Sequence, residues 1–567
     1  MKKLVLVEIS PSPVQLPEPP PAQQQPSSRW QVALICCALA YVLCILVTTA
    51  PLHSIVGLQT QFWISNAIVA LDNWLHLPHD LGFSTDHYVS QQDTYYLELL
   101  LPVLFAFAAY GLYAYFLQRT GPRSNHTFAL RLIWLTTIVS GCIYLFTPVS
   151  LSDDVYGYAS YGRLLSVHHA NPYVVAPSAF PQDPTYPLIH WKDAFAPYGP
   201  VWIVLSAGVG LISGPDRLGY LVAFRLCAFA AHLLNIWLVT ATLRTMGRPA
   251  HTVTLGTLLY AWNPLVLLES SAGGHNDVFM LTFILLGLLF SVRAEHSGAT
   301  RQRDAVPALV AFTLAALVKL TAIPIIVFFI LKLFWNTYDT TASTSGTGKR
   351  DWAGRWRAAL SIALFAITIC VSIALVGYAP FWLGHSLREI VGSFSSQPTA
   401  HYQFNSILAA MSVWSSAHAL PVFLAPFNSR SAWNAITTIV IALTMGIGAM
   451  WLQRLPTTRT VVLAALACLA TFLLVTPWFL SWYVTGLVGL AAVGLPEAHN
   501  HPGRALFVLA LTFSASAFLS YYYVSIAWIL PHYVTSYVVV CLATFGIPLL
   551  AFLLSLAFPR RDRLAHS

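Results

Sequence analysis

Residues 358–378 read AALSIALFAITICVSIALVGY, twenty-one positions without a single Asp, Glu, Lys or Arg. At 1.5 Å per residue a helix of that length is about 30 Å long, the thickness of a bilayer's hydrocarbon core. Runs of this kind recur along the chain. Across all 567 residues 57% are hydrophobic and only 9% charged, against about 25% charged in soluble domains. A water-soluble fold is excluded, and the expected class is an all-α polytopic membrane protein. Spans are expected near 32–50, 97–117, 131–149, 217–243, 254–271, 278–292, 305–318, 322–334, 358–378, 433–452, 460–476, 480–495, 505–522 and 534–557, fourteen in all. An even number puts both ends of the chain on one side. The apolar stretch 200–213 is read as a helix lying on the outer face, because counting it as a span would put Arg244 and Arg248 outside.

Charge placement orients these spans, since Lys and Arg gather in cytoplasmic loops. With the termini inside, 22 of the 29 basic residues fall on the inner side. Six fall outside (Arg163, Lys192, Arg217, Lys319, Arg388 and Arg430), and Arg225 lies within a span. The net charge of +8 therefore reports topology, and no nucleic-acid partner is expected. The eight cysteines sit in apolar runs with no CxxC pair. Residues 1–31 are Pro-rich and polar and read as a disordered cytoplasmic tail; their apolar patch is too short for a signal peptide. The expected division continues with an N-terminal hairpin and acidic outer loop over 32–130, a catalytic membrane domain over 131–560 and a short cytoplasmic tail over 561–567. Residues 335–357 read as a Ser/Thr/Gly-rich inner linker. The spans 305–318 and 322–334 are short, with Lys319 between them, a pattern that goes with irregular backbone lining a buried site.

The outer loop 150–200 is the densest in polar chemistry: SLSDDVYGYASYGRLLSVHHANPYVVAPSAFPQDPTYPLIHWKDAFAPYGP. Asp153 and Asp154 stand where a span ends, followed by Tyr156, Tyr158, Tyr161, Arg163, the turn Asn171-Pro172-Tyr173 and a closing Tyr198-Gly199-Pro200. Two readings fit these residue types equally. A carboxylate here can act as general base on a hydroxyl, or Ser152-Asp153-Asp154 can simply cap the next helix while the tyrosines form an interfacial belt. A second polar cluster, Glu269 with His275, Asn276 and Asp277, falls at the outer junction of two spans. Ionisable groups at such depth are functional candidates, and His-Asn-Asp offers hydrogen-bond donors and acceptors to a polar ligand. A capped helix connection is the plainer account. For an anionic ligand the available cations are Lys319, Arg163, Arg225 and Arg388. Lys319 ranks first because desolvation strengthens its attraction to an anion, with snorkelling to the outer headgroups an equal alternative. His168-His169 and the group His76, His79, Asp80, Asp86 and His87 have metal-ligand types at spacings that fit no tight site, so no metal and no other cofactor is expected.

Several of these residues fall into motifs. Asp154-Val155-Tyr156-x-Tyr158-Ala159, Asn171-Pro172-Tyr173, Ala196-Pro197-Tyr198-Gly199-Pro200, Trp262-Asn263-Pro264 running to Glu269, Gly273-Gly274-His275-Asn276-Asp277, Leu317-Val318-Lys319-Leu320 and Pro477-Trp478-Phe479-Leu480-Ser481-Trp482-Tyr483 occur in this order. The set resembles the polyprenol-phosphomannose-dependent α-1,6-mannosyltransferases of the GT-C superfamily. The resemblance implies a GT-C fold and a polyprenyl-phosphate sugar donor, mannosyl as in that family, in the plasma membrane. It further implies inverting transfer, on the extracytoplasmic face, to a hydroxyl of a glycan or glycolipid acceptor. It implies a loop aspartate as base, with Asp154 at the matching position and Asp153 a neighbour the family pattern does not require, so either of the two can hold the role. Lys319, Arg163 and Arg225 would then attend the donor phosphate. Tyr156, Tyr158, Asn171, Tyr198, Glu269, His275, Asn276 and Asp277 would line the substrates. A nucleotide-sugar donor does not fit, since no GxGxxG turn follows a strand. The rival class is a secondary transporter or a flippase of lipid-linked glycans, with Lys319, Arg225 and Glu269 lining a pathway. No internal repeat relates the two halves of the chain, which weighs against a transporter.

Overall fold

A computed structural model describes residues 28–56, 91–120, 125–145, 152, 154–215, 217–296, 301–344, 352–386, 388–389, 392, 402–495, 501–521 and 533–558. Asp153, the group His76–His87, the tail 1–27 and residues 559–567 lie outside the described residues. The helices are α1 (Ser28–Val56), α2 (Gln91–Thr120), α3 (His126–Leu145), α4 (Asp154–Ser166), α5 (Pro200–Ser213), α6 (Arg217–Thr245), α7 (Ala250–Ala261), α8 (Pro264–Ser271) and α9 (Asp277–His296). They continue as α10 (Arg301–Val318), α11 (Ile323–Thr344), α12 (Trp352–Trp382), α13 (Ile407–Ser415), α14 (Arg430–Arg454), α15 (Thr458–Val475), α16 (Val484–Val493), α17 (His501–Ser516) and α18 (Tyr533–Ala557). Among the described residues no strand forms beyond one isolated bridge, Phe404 with Trp478. The all-α membrane class holds, and one apolar core runs through helices from α1 to α18.

Eleven helices among the described residues are long and apolar enough to cross a bilayer, so the expected fourteen is not reached. The missing three have physical reasons. The run 254–271 breaks at Asn263-Pro264 into α7 and α8. Pro264 cannot donate to the preceding turn and biases Asn263 out of helical backbone, and the Asn263 Oδ1 then accepts from Val266 N–H at 3.2 Å as the cap of α8. The run 480–495 opens as a 3-10 turn, Ser481–Tyr483, and leaves only the ten residues of α16. The helix over 305–318 is a short apolar one, ending in the extended backbone of Lys319.

Its partner is not short. The apolar pattern stops at 334, but α11 continues to Thr344, and α12 begins at Trp352. Much of the expected linker is therefore helical, closed by Arg355, whose guanidinium donates to the Tyr338 carbonyl and lies 3.9 Å from the centre of its ring.

Helix ends expected on a common side do meet. Residues of α4, of the turns before α9 and after α10, and of the end of α15 gather around one cavity. At the other end Lys332 meets Glu295 and Thr458, and Arg248 reaches the Leu495 carbonyl. The closing Tyr198-Gly199-Pro200 docks on the end of α10, with Gly199 N–H donating to Val318 O at 3.1 Å. A β-carbon at Gly199 would stand 2.0 Å from the Leu317 carbonyl oxygen, so only glycine permits this approach.

Candidate active site

Asp154 opens α4. The hydroxyl of Ser152 accepts from the Asp154 N–H at 3.1 Å, so capping falls to Ser152 while the Asp154 carboxylate, 27% exposed, lines the cavity. The Tyr158 hydroxyl, one turn on, donates to Asp154 Oδ2 at 3.4 Å and lies the same distance from His275 Nδ1. Burial first, and the Asp154 charge second, push the Tyr158 phenol well above its ordinary value. It therefore stays protonated and acts only as a donor to the carboxylate.

The turn between α8 and α9 supplies the next layer. Gly274 takes φ +69°, the left-handed backbone that glycine tolerates, and directs His275 and Asn276 inward. The His275 ring stacks on Trp482 with centroids 3.9 Å apart and planes within 10°. Its Nδ1 stands 3.7 Å from Asp154 Oδ2 and its Nε2 3.2 Å from Glu269 Oε2. The Tyr521 hydroxyl donates to the other Glu269 oxygen. Asn276 is 1% exposed and lines the cavity, yet neither its Oδ1 nor its Nδ2 has a hydrogen-bond partner. An amide buried in this state costs on the order of 1–3 kcal/mol, which a polyhydroxylated ligand in the cavity would offset.

Asp277 begins α9, where the helix dipole favours a carboxylate. It takes both hydrogen bonds from Lys319 Nζ, at 2.9 and 2.8 Å. The ammonium also sits 3.9 Å over the Tyr483 ring. Lys319 also lines the cavity. The cavity measures about 400 Å³. A second, apolar one of about 310 Å³ adjoins it, sharing Leu320, Thr321 and Phe472, and is walled by Met280, Ile325, Cys468 and Leu490 among others.

Of the expected residues Asp154, Tyr198, Asn276 and Lys319 line the cavity, and Tyr158, His275, Glu269 and Asp277 stand behind them in contact with Asp154 or Lys319 directly or through His275. Arg163, Arg225, Tyr156 and Asn171 do not line the cavity. Arg163 grips Asp183 through Nε, at 3.1 and 2.9 Å, and donates to Tyr220. Arg225 is fully buried and donates to the Ala272 carbonyl at 2.6 Å, holding the turn that carries His275. Asn171 ties its own loop to Phe381 O and Tyr173 N–H, and Arg388 is exposed. His168 bonds Asp183 at 2.7 Å, and among the described residues no cluster of His, Cys, Asp or Glu gathers to hold a metal. The residues that sequence reasoning did not place in the site are aromatic: Trp482 under His275, Tyr483 under Lys319 and Tyr521 on Glu269. The Pro477–Tyr483 motif carried the first two, but without charge they gave no chemical signal.

Residues 67–335 match the family model described as "Alpha-(1->6)-mannopyranosyltransferase, N-terminal domain". The chain is 28% identical to alpha-(1->6)-mannopyranosyltransferase A of Mycobacterium tuberculosis over 258 residues, 45% of each chain. It is 22% identical to the protein of the same name from Corynebacterium glutamicum over 384 residues, 66% of this chain and 73% of the relative. The match to the mycobacterial relative thus spans a little under half of its length. Among solved structures, the archaeal oligosaccharyltransferase AglB of Archaeoglobus fulgidus, in complex with an inhibitory peptide and a dolichol-phosphate, aligns over 76% of this chain and 56% of its own. Its TM-score is 0.36 at 12% identity. The resemblance read from the motifs holds: the chain is similar to the α-1,6-mannosyltransferases over the stretch that carries Asp154, His275 and Lys319.

Proposed function

We propose that this chain is a GT-C type membrane glycosyltransferase. It moves a sugar, mannose by its relatives, from a polyprenyl-phosphate donor to a hydroxyl of a glycan or glycolipid acceptor. One observation carries the reading: a single cavity brings together a part-exposed carboxylate, an unpartnered buried amide and an ammonium, beside an apolar groove. Each piece has work in that reaction. Asp154 takes the acceptor's hydroxyl proton as the oxygen attacks the anomeric carbon. The bond from that carbon to the phosphate oxygen breaks, and Lys319 meets the second negative charge that develops on the departing prenyl phosphate. Asn276 pairs with sugar hydroxyls. The groove beside Leu320 and Phe472 takes the start of the prenyl chain, and its apolar lining suits that occupant.

A single displacement of this kind inverts the anomeric centre. The excess of basic residues at the opposite end of the bundle supports a site on the extracytoplasmic face. The experiment is to incubate purified protein with polyprenyl-phosphate mannose, glucose and galactose and a mannoside acceptor, then read product mass and linkage. One added hexose from the mannosyl donor, α-1,6-linked, is the expected result. Transbilayer movement of lipid-linked sugar in vesicles with no new glycosidic bond would replace this reading with the flippase.

A further inference from the structure

Two tryptophans at the edge of the cavity have no part in the chemistry above. Trp191 is 39% exposed while lining the cavity, which puts it where the cavity meets solvent. Its ring packs edge-on to Trp478 at 5.8 Å and tilted to Tyr402 at 6.1 Å, and Tyr402 is 59% exposed. Three separate segments converge to make this group, and one of them is pinned by backbone. Phe404 N–H donates to Pro477 O at 3.0 Å and Phe479 N–H to Phe404 O at 2.9 Å, which holds Trp478 against Phe404 at 5.4 Å.

Aromatic residues at the ends of membrane helices ordinarily face lipid headgroups. Trp191 differs in its setting. It lies in the loop between α4 and α5, in the run His190-Trp191-Lys192-Asp193, with His190 and Asp193 exposed on either side. A ring bracketed by charged and polar neighbours, and turned into the cavity that holds Asp154, is placed for a ligand that is both apolar and hydrogen-bonding. Pyranose rings have that character, with C–H groups on their faces and hydroxyls around their edges. Trp and Tyr supply rigid flat area for such faces at little entropic cost.

We infer that Trp191, Tyr402 and Trp478 form a platform for the acceptor chain, contacting the sugar behind the one that is glycosylated. The inference rests on the transferase reading: with the reactive hydroxyl at Asp154, the rest of the acceptor must leave through the mouth that Trp191 borders. The protein should therefore favour longer acceptors.

Steady-state kinetics on the full chain, with α-1,6-linked mannosides from a monosaccharide to a tetrasaccharide, test it. In the wild type the acceptor KM should fall with length. In Trp191→Ala and Tyr402→Ala the ratio of short-acceptor to long-acceptor KM should collapse toward unity, a change of about three- to tenfold. Trp191→Phe should keep most of the preference. A wild-type KM independent of length, or variants that shift every KM equally, would overturn the platform; so would a Trp191→Ala protein altered only in its association with liposomes. If no sugar is transferred to any acceptor, the transferase reading fails on its own. Calorimetric titration with α-1,6-mannotetraose then judges the platform, which requires binding that Tyr402→Ala weakens.

Discussion

Helix α9 carries a carboxylate near each end, and each is paired with a lysine from α11 or the turn before it. At one end Asp277 holds Lys319; at the other, about 27 Å away along the helix, Glu295 holds Lys332 at 2.8 Å. The two pairs look alike in sequence and differ in completeness. Lys332 is 3% exposed, donates also to Ser291 and Thr458, and lines neither cavity. Glu295 sits in the last turn, where the helix dipole disfavours it, and is answered by the N–H and hydroxyl of Thr458 as well as by Lys332. Asp277 needs no such rescue at the first turn. Lys319 is 16% exposed at a cavity wall. An ion pair held by further protein donors away from any cavity fastens helices, whereas one at a cavity wall is available to a ligand.

The sharpest break of this comparison falls on the base. Asp154→Asn keeps the size and the hydrogen bond to Tyr158 but cannot accept a proton, so turnover should fall about 10²–10⁴-fold with donor binding retained. A variant near the wild-type rate would move the base elsewhere, and Asp153→Asn would say whether to the neighbouring residue.

Next come the lysines themselves. Lys319→Met should lower kcat about 100-fold with a smaller change in donor KM, since charge that appears only as prenyl phosphate leaves is felt in the transition state. Lys319→Arg should recover part of it, limited by the guanidinium's shape. Lys332→Met should spare kcat. Leaving Glu295 without its cation costs roughly 3 kcal/mol of stability, seen as a lower unfolding temperature in detergent, while kcat per folded molecule stays at the wild-type value. Equal loss of kcat in both methionine variants would erase the distinction between the two ends.

How far this was legible in the sequence follows the range of the interactions. Charge-free runs such as 358–378 declare the membrane class locally, and the alternation of Lys and Arg pairs the correct helix ends. Asp154, His275, Asn276 and Lys319 stood out because polar groups between apolar runs are costly without a purpose. Arg163 and Arg225 carried the same signal for another reason. Their partners, Asp183 and the Ala272 carbonyl, lie 20 and 47 residues away, and no spacing rule reveals them. Hydropathy also misjudged helix length. It ended α11 at 334, where the side chains turn polar but the backbone hydrogen bonds continue, and it ran 254–271 through Pro264, whose ring stops them.

The smallest effect is expected at the loop that carries the platform, and it separates a structural carboxylate from a working one by pH. Asp183 accepts from Arg163, His168, Thr185 N–H and the Thr185 hydroxyl. Burial alone would raise its carboxyl, but these donors outweigh it and hold the group below its ordinary value. A depressed folded value contributes stability that is present above the unfolded carboxylate value, about 4, and is lost as pH falls through the lower folded value. Asp183→Asn, which keeps the shape but not the charge, should cost about 1–2 kcal/mol near neutral pH. That gap should narrow as the pH drops below about 4, because the wild type then loses the same charge. Unfolding temperatures of the two proteins, measured across that range, check it. A gap of constant size would mean that Asp183 acts through packing, and the loop between α4 and α5 would then owe its position to Asn171 and Gly199 instead of to the Arg163 clamp.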